Sequence, residues 1–317
     1  MKYKLALVQT SQNRLSEVTR FVESLNSQTG IDFCSIQYIF VDQGDHKSAL
    51  KNINKYIDLV YLTSSKCSLS HARNIALKYV DAVYICFPDD DCWYEEDTLS
   101  KVFKKFESGE YQGITGIGFN EYGVLTSTFP LYSQNLTRTK LCAAISYTLF
   151  LKYQQSVKFD ENMGVGSPHN IGSGEESDYL LTLMDNYGYK VRYDREIIVH
   201  HPAEGDAKFD EKSLLKAYSY ARGDGYLIKK HNLPKMVLFR YIIRPIGGII
   251  IFSTKGDIYG VKRSYYRLKG RIEGFLFKSE LRGKGSFSSS YKNDSDMGKD
   301  RFYFYRCRKM HRAFIKF

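Results

Sequence analysis

Apolar positions along the first hundred residues follow two alternating periods. Short continuous apolar runs, typical of buried strands, lie at Lys4–Val8, Ile36–Val41, Leu59–Leu62 and Ala82–Phe87. Between these runs, apolar side chains recur at helical spacing near Leu15–Leu25 and Ala72–Val80, and a polar segment near Lys47–Tyr56 is also expected to be a helix. The order β-α-β-α-β-α-β favours a parallel sheet with right-handed crossovers. We therefore expect the carboxyl ends of the strands to share one edge, where ligands bind.

The next hundred residues predict a smaller set of strands and two more helices. In chain order these are a helix through Leu99 and Phe106, strands Ile114–Phe119 and Val124–Thr128, an apolar segment Ala143–Leu151, a glycine-rich loop Asn162–Gly174, a helix through Tyr179 and Tyr187, and strands Lys190–Tyr193 and Ile197–His200. We therefore predict an α/β fold, a mixed sheet flanked by helices, for a catalytic domain at residues 1–210.

Residues 211–317 follow a different pattern. Ser213–Lys230 and Lys235–Phe252 are helical in period, and a third helix has an apolar stripe. The stripe consists of Ile258, Val261, Tyr265, Leu268, Ile272 and Phe275. Residues 283–299 are polar and rich in Gly and Ser, which predicts a flexible linker. The longest uncharged apolar stretch, Pro245–Thr254, is shorter than the roughly 18 residues of a spanning helix, so we expect no transmembrane segment.

Charge divides the chain near the same place. Residues 228–317 hold 22 Lys and Arg but 6 Asp and Glu, whereas residues 1–227 hold 24 and 29. A basic region beside an acidic body indicates an anionic partner, either lipid headgroups or nucleic acid. We favour an anionic membrane surface, with Arg240–Phe252 lying in the interface. The alternative is that these helices pack on the body or pair two copies in a homodimer.

Composition limits the class of protein. Hydrophobic residues make up 43% of the 317 and aromatic residues 15%, which excludes a disordered chain. The N-terminus has no long apolar signal core, and the six cysteines form no Cys-x-x-Cys pair. We therefore expect reduced, mostly buried thiols in a cytoplasmic protein.

Three consecutive carboxylates, Asp89-Asp90-Asp91, directly follow the fourth predicted strand. Adjacent acids repel one another unless a cation compensates them, and oxygen ligands suit Mg²⁺ or Mn²⁺, which would bridge nucleotide phosphates. The sequence therefore predicts a divalent metal site at the sheet edge. The alternative is a solvated acidic turn that caps the next helix.

Two further groups have reactive side chains. Glu175 and Glu176 begin a helix after the glycine-rich loop, where crowding can raise the pKa of a carboxylate toward that of a general base. The alternative is ordinary charge complementarity at a helix start. His200 and His201 end a strand, and one imidazole could complete the metal shell or bind a diphosphate. Either histidine alone is more often a hydrogen-bonded structural residue.

Five short motifs and a later histidine follow one another in order through residues 3–205. The motifs are Val41-Asp42-Gln43-Gly44, Ser70-His71-Ala72-Arg73-Asn74, Pro88-Asp89-Asp90-Asp91, Phe159-Asp160-Glu161 and Gly174-Glu175-Glu176-Ser177-Asp178. This set resembles family 2 glycosyltransferases with the GT-A fold, of the kind that builds bacterial surface polysaccharides. The resemblance implies a Rossmann-like GT-A catalytic domain with a basic helical extension.

The resemblance also implies roles for individual residues. Those that would contact the nucleotide are Thr10, Gln12, Asp42, Arg73, Asn74, Asp89 and Asp90. Those that would hold Mn²⁺ or Mg²⁺ are Asp91, Asp89 and either His200 or His201. The catalytic acids would be Glu176, Glu175 and Asp178. The usual base of the family's Gly-Glu-Asp-x-Asp pattern falls on Glu176, and Glu175 is the alternative because Glu replaces Asp here.

The implied reaction is an inverting, metal-dependent transfer of a sugar from a nucleotide-sugar, most simply a UDP-sugar. The acceptor would be a hydroxyl of a glycan or lipid-linked oligosaccharide in surface polysaccharide synthesis. The protein would then work in the cytoplasm, peripherally bound to the inner face of the plasma membrane.

Two other functions compete with this one. A sugar nucleotidyltransferase would have a glycine-rich basic loop after its first strand, and residues 9–14 contain no Gly. A nucleic-acid-binding protein would explain the basic, aromatic end of the chain but not the acidic body. We therefore expect no nucleic-acid partner.

Overall fold

The structure is a computed structural model that describes residues 1–203, 209–278 and 303–304. The predicted linker at residues 283–299 and the basic end of the chain from residue 305 lie outside the described residues. The strands are β1 (Tyr3–Ser11), β2 (Ile36–Asp42), β3 (Asp58–Thr63), β4 (Ala82–Cys86), β5 (Trp93–Tyr94), β6 (Gly113–Phe119), β7 (Gln134–Asn135), β8 (Leu149–Lys152), β9 (Val191–His200) and β10 (Tyr303–Phe304). The helices are α1 (Leu15–Asn26), α2 (Lys47–Leu50), α3 (Leu69–Leu77), α4 (Thr98–Glu107), α5 (Glu175–Tyr187), α6 (Glu211–Lys230), α7 (Lys235–Thr254) and α8 (Ile258–Leu276).

The strands form one mixed sheet in the order β10-β3-β2-β1-β4-β8-β6-β9-β5, with β7 paired to β9. β3, β2, β1 and β4 are parallel neighbours, as the sequence predicts. β8 runs antiparallel to β4 and β6, and β6 runs parallel to β9. The mixed α/β architecture is therefore confirmed. The carboxyl ends of β1, β2 and β4 meet at one edge, which is where ligands bind in such sheets.

Two apolar layers cover the sheet. Alternate residues of β1 belong to different layers, because successive strand side chains point to opposite faces. Leu5 and Leu7 are buried with residues of α1 and α4, whereas Ala6 and Val8 are buried with residues of α3 and α5. The helices on both faces thus hold in place the sheet edge at which β1 and β4 end.

The strands after residue 110 differ from the prediction. The segment Val124–Thr128 is not a strand, and a single bridge joins Phe119 to Leu125. Val124 and Leu125 are exposed, so no apolar layer holds this segment in the sheet. The two predicted strands at the end of the body are one strand, β9, whose polar middle lies where its pairing with β6 shifts register. A β-bulge accommodates polar residues without ending a strand.

The cysteines are less buried than expected. Cys86 and Cys92 are buried, whereas Cys34 and Cys142 are exposed and Cys67 is intermediate. All five of these described cysteines are free thiols. Each buried one belongs to the apolar layer beside α1 and α4.

The loop that precedes α5 rests on α6. The Gly172 amide donates to the Ser219 carbonyl oxygen at 3.1 Å, and the Ser173 hydroxyl donates to the Tyr220 carbonyl oxygen at 3.1 Å. A Cβ on Gly223 of α6 would lie 2.3 Å from the Ser173 carbonyl oxygen, so only glycine permits this approach. The helical region after residue 210 therefore supports the start of α5, although a domain boundary at residue 210 stays a prediction.

Glycines bring α6 and α8 into backbone contact. A Cβ on Gly225 of α6, or on Gly270 or Gly274 of α8, would lie 2.0–2.4 Å from a carbonyl oxygen of the opposite helix. The buried residues of α8 are all small, namely Gly260, Ser264, Gly270 and Gly274. Within the predicted apolar stripe, Ile258, Tyr265 and Ile272 are exposed, whereas Val261, Leu268 and Phe275 are half-buried.

One helix in the described residues, α7, is long and apolar enough to cross a membrane by length and composition. This corrects the expectation that no segment reaches that length. The uncharged stretch is short because Arg240 and Arg244 interrupt it, but the helix continues through both arginines and through Pro245. Pro245 is the only buried residue of this fully described helix.

Candidate active site

The three consecutive aspartates follow β4 at the shared sheet edge, and each has different partners. Asp89 Oδ1 accepts from the Arg73 guanidinium at 3.2 Å and from the Ser146 hydroxyl at 3.0 Å. Asp90 accepts from the Ser11 hydroxyl at 2.7 Å, and Arg14 Nη1 donates to both Asp90 and Asp91. The aspartates are therefore held by side chains from β1, the β1–α1 loop and α3, and they do not project freely into solvent.

Asp89, Asp91 and His201 could together hold a metal ion. One ligand atom from each of them lies within 4.8 Å of the other two. Two carboxylate oxygens and an imidazole nitrogen suit Mn²⁺ or Mg²⁺ and leave coordination positions for phosphate oxygens. The residues therefore fit the metal that the triple acid predicts.

The two histidines have different surroundings. His201 stacks on Tyr147 with ring centroids 4.8 Å apart, and its Nδ1 lies 3.0 Å from the Pro202 carbonyl oxygen. That contact leaves Nε2, which is 3.1 Å from Asp91 Oδ1, directed at the aspartates. His200 instead stacks on Trp93 at 5.2 Å and lies outside this group. Of the two candidates, His201 is thus the one beside the metal position.

Electrostatics at the aspartates favour a cation. Burial raises the pKa of Asp89 and of Asp90, and repulsion from Asp91 adds to the rise at both. Burial alone would also raise the pKa of Asp91, but its hydrogen bond to His201 and the charges of His201 and Arg14 lower it. In return, the hydrogen bond and charge of Asp91 outweigh burial and raise the pKa of His201. Positive charge at this point therefore relieves the repulsion among the aspartates.

Arg73 links the aspartates to the glutamate pair. Its side chain is 2% exposed and is close to the rings of Phe159 and Phe87. One guanidinium nitrogen donates to Asp89, and the other lies 3.6 Å from Glu175 Oε1. Arg73 thus joins the loop after β4 to the first turn of α5.

Glu175 and Glu176 begin α5 after Gly174, whose φ of +91° favours glycine. Burial raises the pKa of Glu175, and the Arg73 charge partly offsets this rise. Burial and repulsion from Glu175 raise the pKa of Glu176 to about 8, and Asp89 adds to the rise. Because the described residues include no ion-pair partner for Glu176, this carboxyl can change its protonation state near neutral pH.

Asp178, the third predicted catalytic acid, points to a different part of the molecule. It is 1% exposed, and its carboxylate oxygens lie 2.8–2.9 Å from Lys230 Nζ and 2.8 Å from His231 Nε2. Lys230 also contacts Asp160 at 2.7 Å. These contacts join α5 to the end of α6. The Asp178 side chain therefore connects two helices and does not lie beside Glu175 and Glu176.

Asp42, predicted to face the nucleotide base, is already fully hydrogen-bonded. It accepts from the backbone amides of Gly44 and His46 at 2.8 Å, from His46 Nδ1 at 2.7 Å and from the Tyr61 hydroxyl at 2.5 Å. Four donors fill the acceptor sites of a carboxylate. Despite burial, these hydrogen bonds lower the pKa of Asp42. The side chain therefore shapes the loop after β2.

The other predicted nucleotide residues divide into two groups. Thr10 and Gln12 lie half-buried at the end of β1 and in the loop that follows, on either side of Ser11, which contacts Asp90. Asn74 instead donates to the Phe159 carbonyl oxygen and to Glu161 Oε1, both at 2.9 Å, and accepts from the Phe159 amide. Asn74 thus holds the Phe159–Glu161 segment against α3.

Sequence reasoning missed Arg14 and Ser11 as neighbours of the metal position. Both belong to the end of β1 and the loop after it, 76 or more residues from the aspartates they contact. The predicted topology could have indicated these contacts, because the loops after the adjacent parallel strands β1 and β4 lie side by side. Ser146 and Tyr147 belong to a short 3₁₀ helix, Ser146–Thr148, directly before β8, and the predicted topology contains no such indication for them.

Comparison with known proteins accounts for this arrangement. A family model described as "Glycosyl transferase family 2" matches residues 8–172, which is more than half of the chain. The chain belongs to glycosyl transferase family 2. This family 2 member is 25% identical over 261 residues to the "Minor teichoic acid biosynthesis protein GgaB" of Bacillus subtilis (strain 168). The match covers 76% of this chain but 28% of GgaB, so the chain spans less than a third of that relative.

Solved structures share the fold. S. aureus TarS residues 1–349 in complex with UDP-GlcNAc superimposes with a TM-score of 0.51 at 13% identity, covering 85% of this chain and 91% of that one. The mannosyltransferase PcManGT from Pyrobaculum calidifontis, in complex with GDP-Man and Mn²⁺, gives a TM-score of 0.54 at 12% identity and covers 86% and 87%. These similarities confirm the GT-A fold that the motifs predict.

Proposed function

We propose that this chain is a metal-dependent, inverting glycosyltransferase that moves a sugar from a UDP-sugar to a hydroxyl group of a glycan or lipid-linked acceptor. The strongest support is the convergence of Asp89, Asp91 and His201 on one point, with Arg73 connecting that group to the glutamates at the start of α5. A cation site and a carboxylate base are the two features that displacement of a diphosphate requires.

A nucleotide-sugar donor is supported by family membership and by the ligands of the fold relatives, UDP-GlcNAc in TarS and GDP-Man in PcManGT. Thr10 and Gln12 would contact the base from the end of β1 and the loop after it. Asp42 would act through the loop it holds, since its oxygens are occupied. Asp89 or Asp90 would contact the ribose.

Asp89, Asp91 and His201 would hold the Mn²⁺ or Mg²⁺ ion. When bound, the ion supplies positive charge to the leaving diphosphate, so that its departure requires no protein acid. The His201 contact with the Pro202 carbonyl oxygen occupies Nδ1, so Nε2 would be the atom that coordinates the ion.

Glu176 would accept the proton of the acceptor hydroxyl as the acceptor oxygen bonds to the anomeric carbon. The bond between that carbon and the diphosphate oxygen breaks, and its electron pair leaves with the diphosphate. Attack from the opposite side in a single displacement inverts the anomeric configuration. Glu175 is fixed by Arg73, and this supports Glu176 as the base.

The acceptor would be a precursor of a surface polysaccharide, met at the cytoplasmic face of the membrane. The similarity to GgaB, a protein named for teichoic acid biosynthesis, supports a glycan of this kind. Asp178, Lys230 and Asp160 would keep α6 fastened to α5 and so hold the base in position.

The test is release of UDP by the purified chain with Mn²⁺, a panel of UDP-sugars and soluble glycan acceptors. Asp91→Ala should lower the rate about a thousandfold by removing a metal ligand. Asp97→Ala is the matched control, since this partly exposed carboxylate pairs only with Lys101 among the described residues, and it should leave the rate unchanged. EDTA should abolish release and added Mn²⁺ restore it, so full activity in EDTA would contradict the proposal.

A further inference from the structure

The outward side of α7 exposes large apolar side chains along its length. Met236, Phe239, Ile243 and Ile250 recur at spacings of three, four and seven, which places them on one side of the helix. Their exposed fractions are 65%, 59%, 47% and 60%. We name these four residues the outer face of α7. Large exposed apolar surfaces of this kind mark interaction sites.

The neighbouring helix adds to this surface. α8 packs on α6 through its small residues, and Ile258, Tyr265 and Ile272 of its apolar stripe remain outside at 72%, 53% and 42% exposure. The two helices meet at small residues, with Gly248 of α7 beside Ser264 of α8, and both expose large apolar side chains, which is the reverse of a helix pair in a water-soluble core.

Positive charge surrounds the apolar side chains. Residues 235–276 contain nine Lys and Arg and two acidic residues. Arg240, Arg244, Lys262 and Arg263 make no ion pair within the described part of the chain. Burial lowers the pKa of Arg267, and the like charges of Arg263 and Arg271 lower it further. The region therefore lacks the anions that would balance its cations.

We propose that α7 and α8 lie flat in the headgroup region of an anionic lipid bilayer, with the outer face of α7 inserted into the acyl boundary. An apolar side flanked by arginines and lysines is the pattern of an in-plane interfacial helix. The arginine stems can follow the apolar surface while their guanidinium groups reach the phosphates. The inference rests on these helices alone, and it adds to the proposed function the surface at which a lipid-linked acceptor would be met.

The packing excludes a spanning arrangement of α7, although its length would allow one. Tyr241, Gly248 and Phe252 of α7 contact α8 through Arg271, Ser264 and Gly260 respectively. α8 in turn contacts α6 through backbone. A spanning α7 would carry α8 with it and bring its lysines and arginines to the bilayer centre, where a charged side chain is costly.

A second copy of the chain fits this surface less well than lipid does. A twofold interface would bring the same patch of both copies together, so that Arg240, Arg244, Lys262 and Arg263 would face their own equivalents. No described acidic residue on α7 compensates that repulsion. Anionic headgroups supply the missing negative charge.

The test compares the full chain with the double variant Phe239→Glu/Ile250→Glu in vesicle flotation. Vesicles of phosphatidylcholine with about a third phosphatidylglycerol should bind the unmodified chain, and pure phosphatidylcholine should bind it at least tenfold more weakly. The double variant should lose at least tenfold in affinity for the anionic vesicles. The matched control is Leu131→Glu/Tyr132→Glu, since these residues are 75% and 79% exposed on the catalytic body. It should bind like the unmodified chain.

Two further measurements separate the other arrangements. The tryptophan fluorescence of the Ile250→Trp variant should be quenched more strongly by lipids brominated near the headgroup than by lipids brominated deep in the acyl chain. The reverse order would overturn the in-plane arrangement. A dimer in solution that Phe239→Glu/Ile250→Glu dissociates would overturn lipid as the occupant. Equal vesicle binding by that variant and the unmodified chain would also overturn the proposal, because the binding would then come from residues 279–317, which are unchanged in both.

UDP release with a soluble acceptor should be the same in the unmodified chain and in the double variant, because neither residue belongs to the candidate active site. Loss of vesicle binding with UDP release intact confirms the surface independently of the chemistry. Vesicle binding without UDP release leaves the surface standing and rejects the proposed function.

Discussion

Glu176 is the residue at which sequence, position and electrostatics agree most closely. It lies in the first turn of α5 after the glycine-rich loop, and it is the residue that we propose as the base. Burial, the Glu175 charge and Asp89 together raise its pKa to about 8. A base with a pKa near the working pH combines a useful ionised fraction with a useful affinity for the proton.

The raised pKa predicts how activity depends on pH. Below about pH 8 Glu176 is mostly protonated and cannot accept a proton, so kcat/KM for UDP release should rise with pH and level off above that value. Glu176→Gln should lower the rate by about a hundredfold to ten-thousandfold. Glu176→Asp should retain a measurable part of the activity, because it restores the residue type usual in the family.

The same measurements distinguish the alternative base. If Glu175→Gln removes both the activity and the pH dependence while Glu176→Gln keeps them, Glu175 is the base. If Glu175→Gln instead lowers the rate but leaves the rise with pH in place, Glu175 serves to position Arg73. The contact between Glu175 and Arg73 at 3.6 Å favours the second result.

Residue types predicted the chemistry of the site better than they predicted individual contacts. Asp91 and His201 lie side by side because β5, which begins two residues after Asp91, pairs with the end of β9, with Trp93 opposite His200. The role of both residues as metal ligands with Asp89 stays a prediction. Asp178 contacts Lys230 and His231 instead, since residues two positions apart on a helix point in different directions. The motif shows that Asp178 points away from Glu176, but it does not show which residues Asp178 contacts, because these lie more than 50 positions later in the chain.

At the scale of elements, the contact between α6 and α8 depends on glycine. Gly274→Ala should lower the free energy of unfolding by about 1–3 kcal/mol or more, because the new methyl group would meet the Arg222 carbonyl oxygen at 2.0 Å and push the helices apart. Gly247→Ala in α7 is the matched control, since nothing lies within 4 Å of its added methyl group. It should be neutral or stabilising by up to about 1 kcal/mol through helix propensity.

Urea unfolding of both variants measures the difference, and limited proteolysis between α7 and α8 checks whether α8 detaches. Equal stability of Gly274→Ala and Gly247→Ala would mean that the helices separate without cost, and the close packing of α6 on α8 would then be wrong.

The helices and strands were predictable to different degrees. β1 to β4 follow from their apolar runs, because a short continuous run of apolar residues is typical of a strand in a parallel sheet. β9 was divided into two because its polar middle resembles a loop, and only its bulged pairing with β6 keeps it continuous. The packing side of α8 was not predictable from hydrophobicity, since small residues make that contact and half of the apolar stripe stays exposed.

The whole molecule joins two regions of opposite charge through α6. One side of α6 supports the loop that begins α5, and another side holds α8. The glutamates and the proposed lipid-facing helices are therefore attached to one rigid element. This arrangement would keep the distance between the reacting hydroxyl and the membrane surface constant, which suits an acceptor that is anchored in lipid.

Ligand binding should stabilise the whole molecule only when metal and nucleotide are both present. The aspartates repel a diphosphate unless a cation lies between them, so UDP with Mn²⁺ should raise Tm by about 5 °C at a hundredfold excess over its dissociation constant, whereas UDP with EDTA should not. Asp91→Ala should abolish the shift, and GDP with Mn²⁺ should give a smaller one. A larger rise in Tm with GDP would indicate a GDP-sugar donor. The absence of a rise with either nucleotide would contradict the metal site on which the proposed transfer depends.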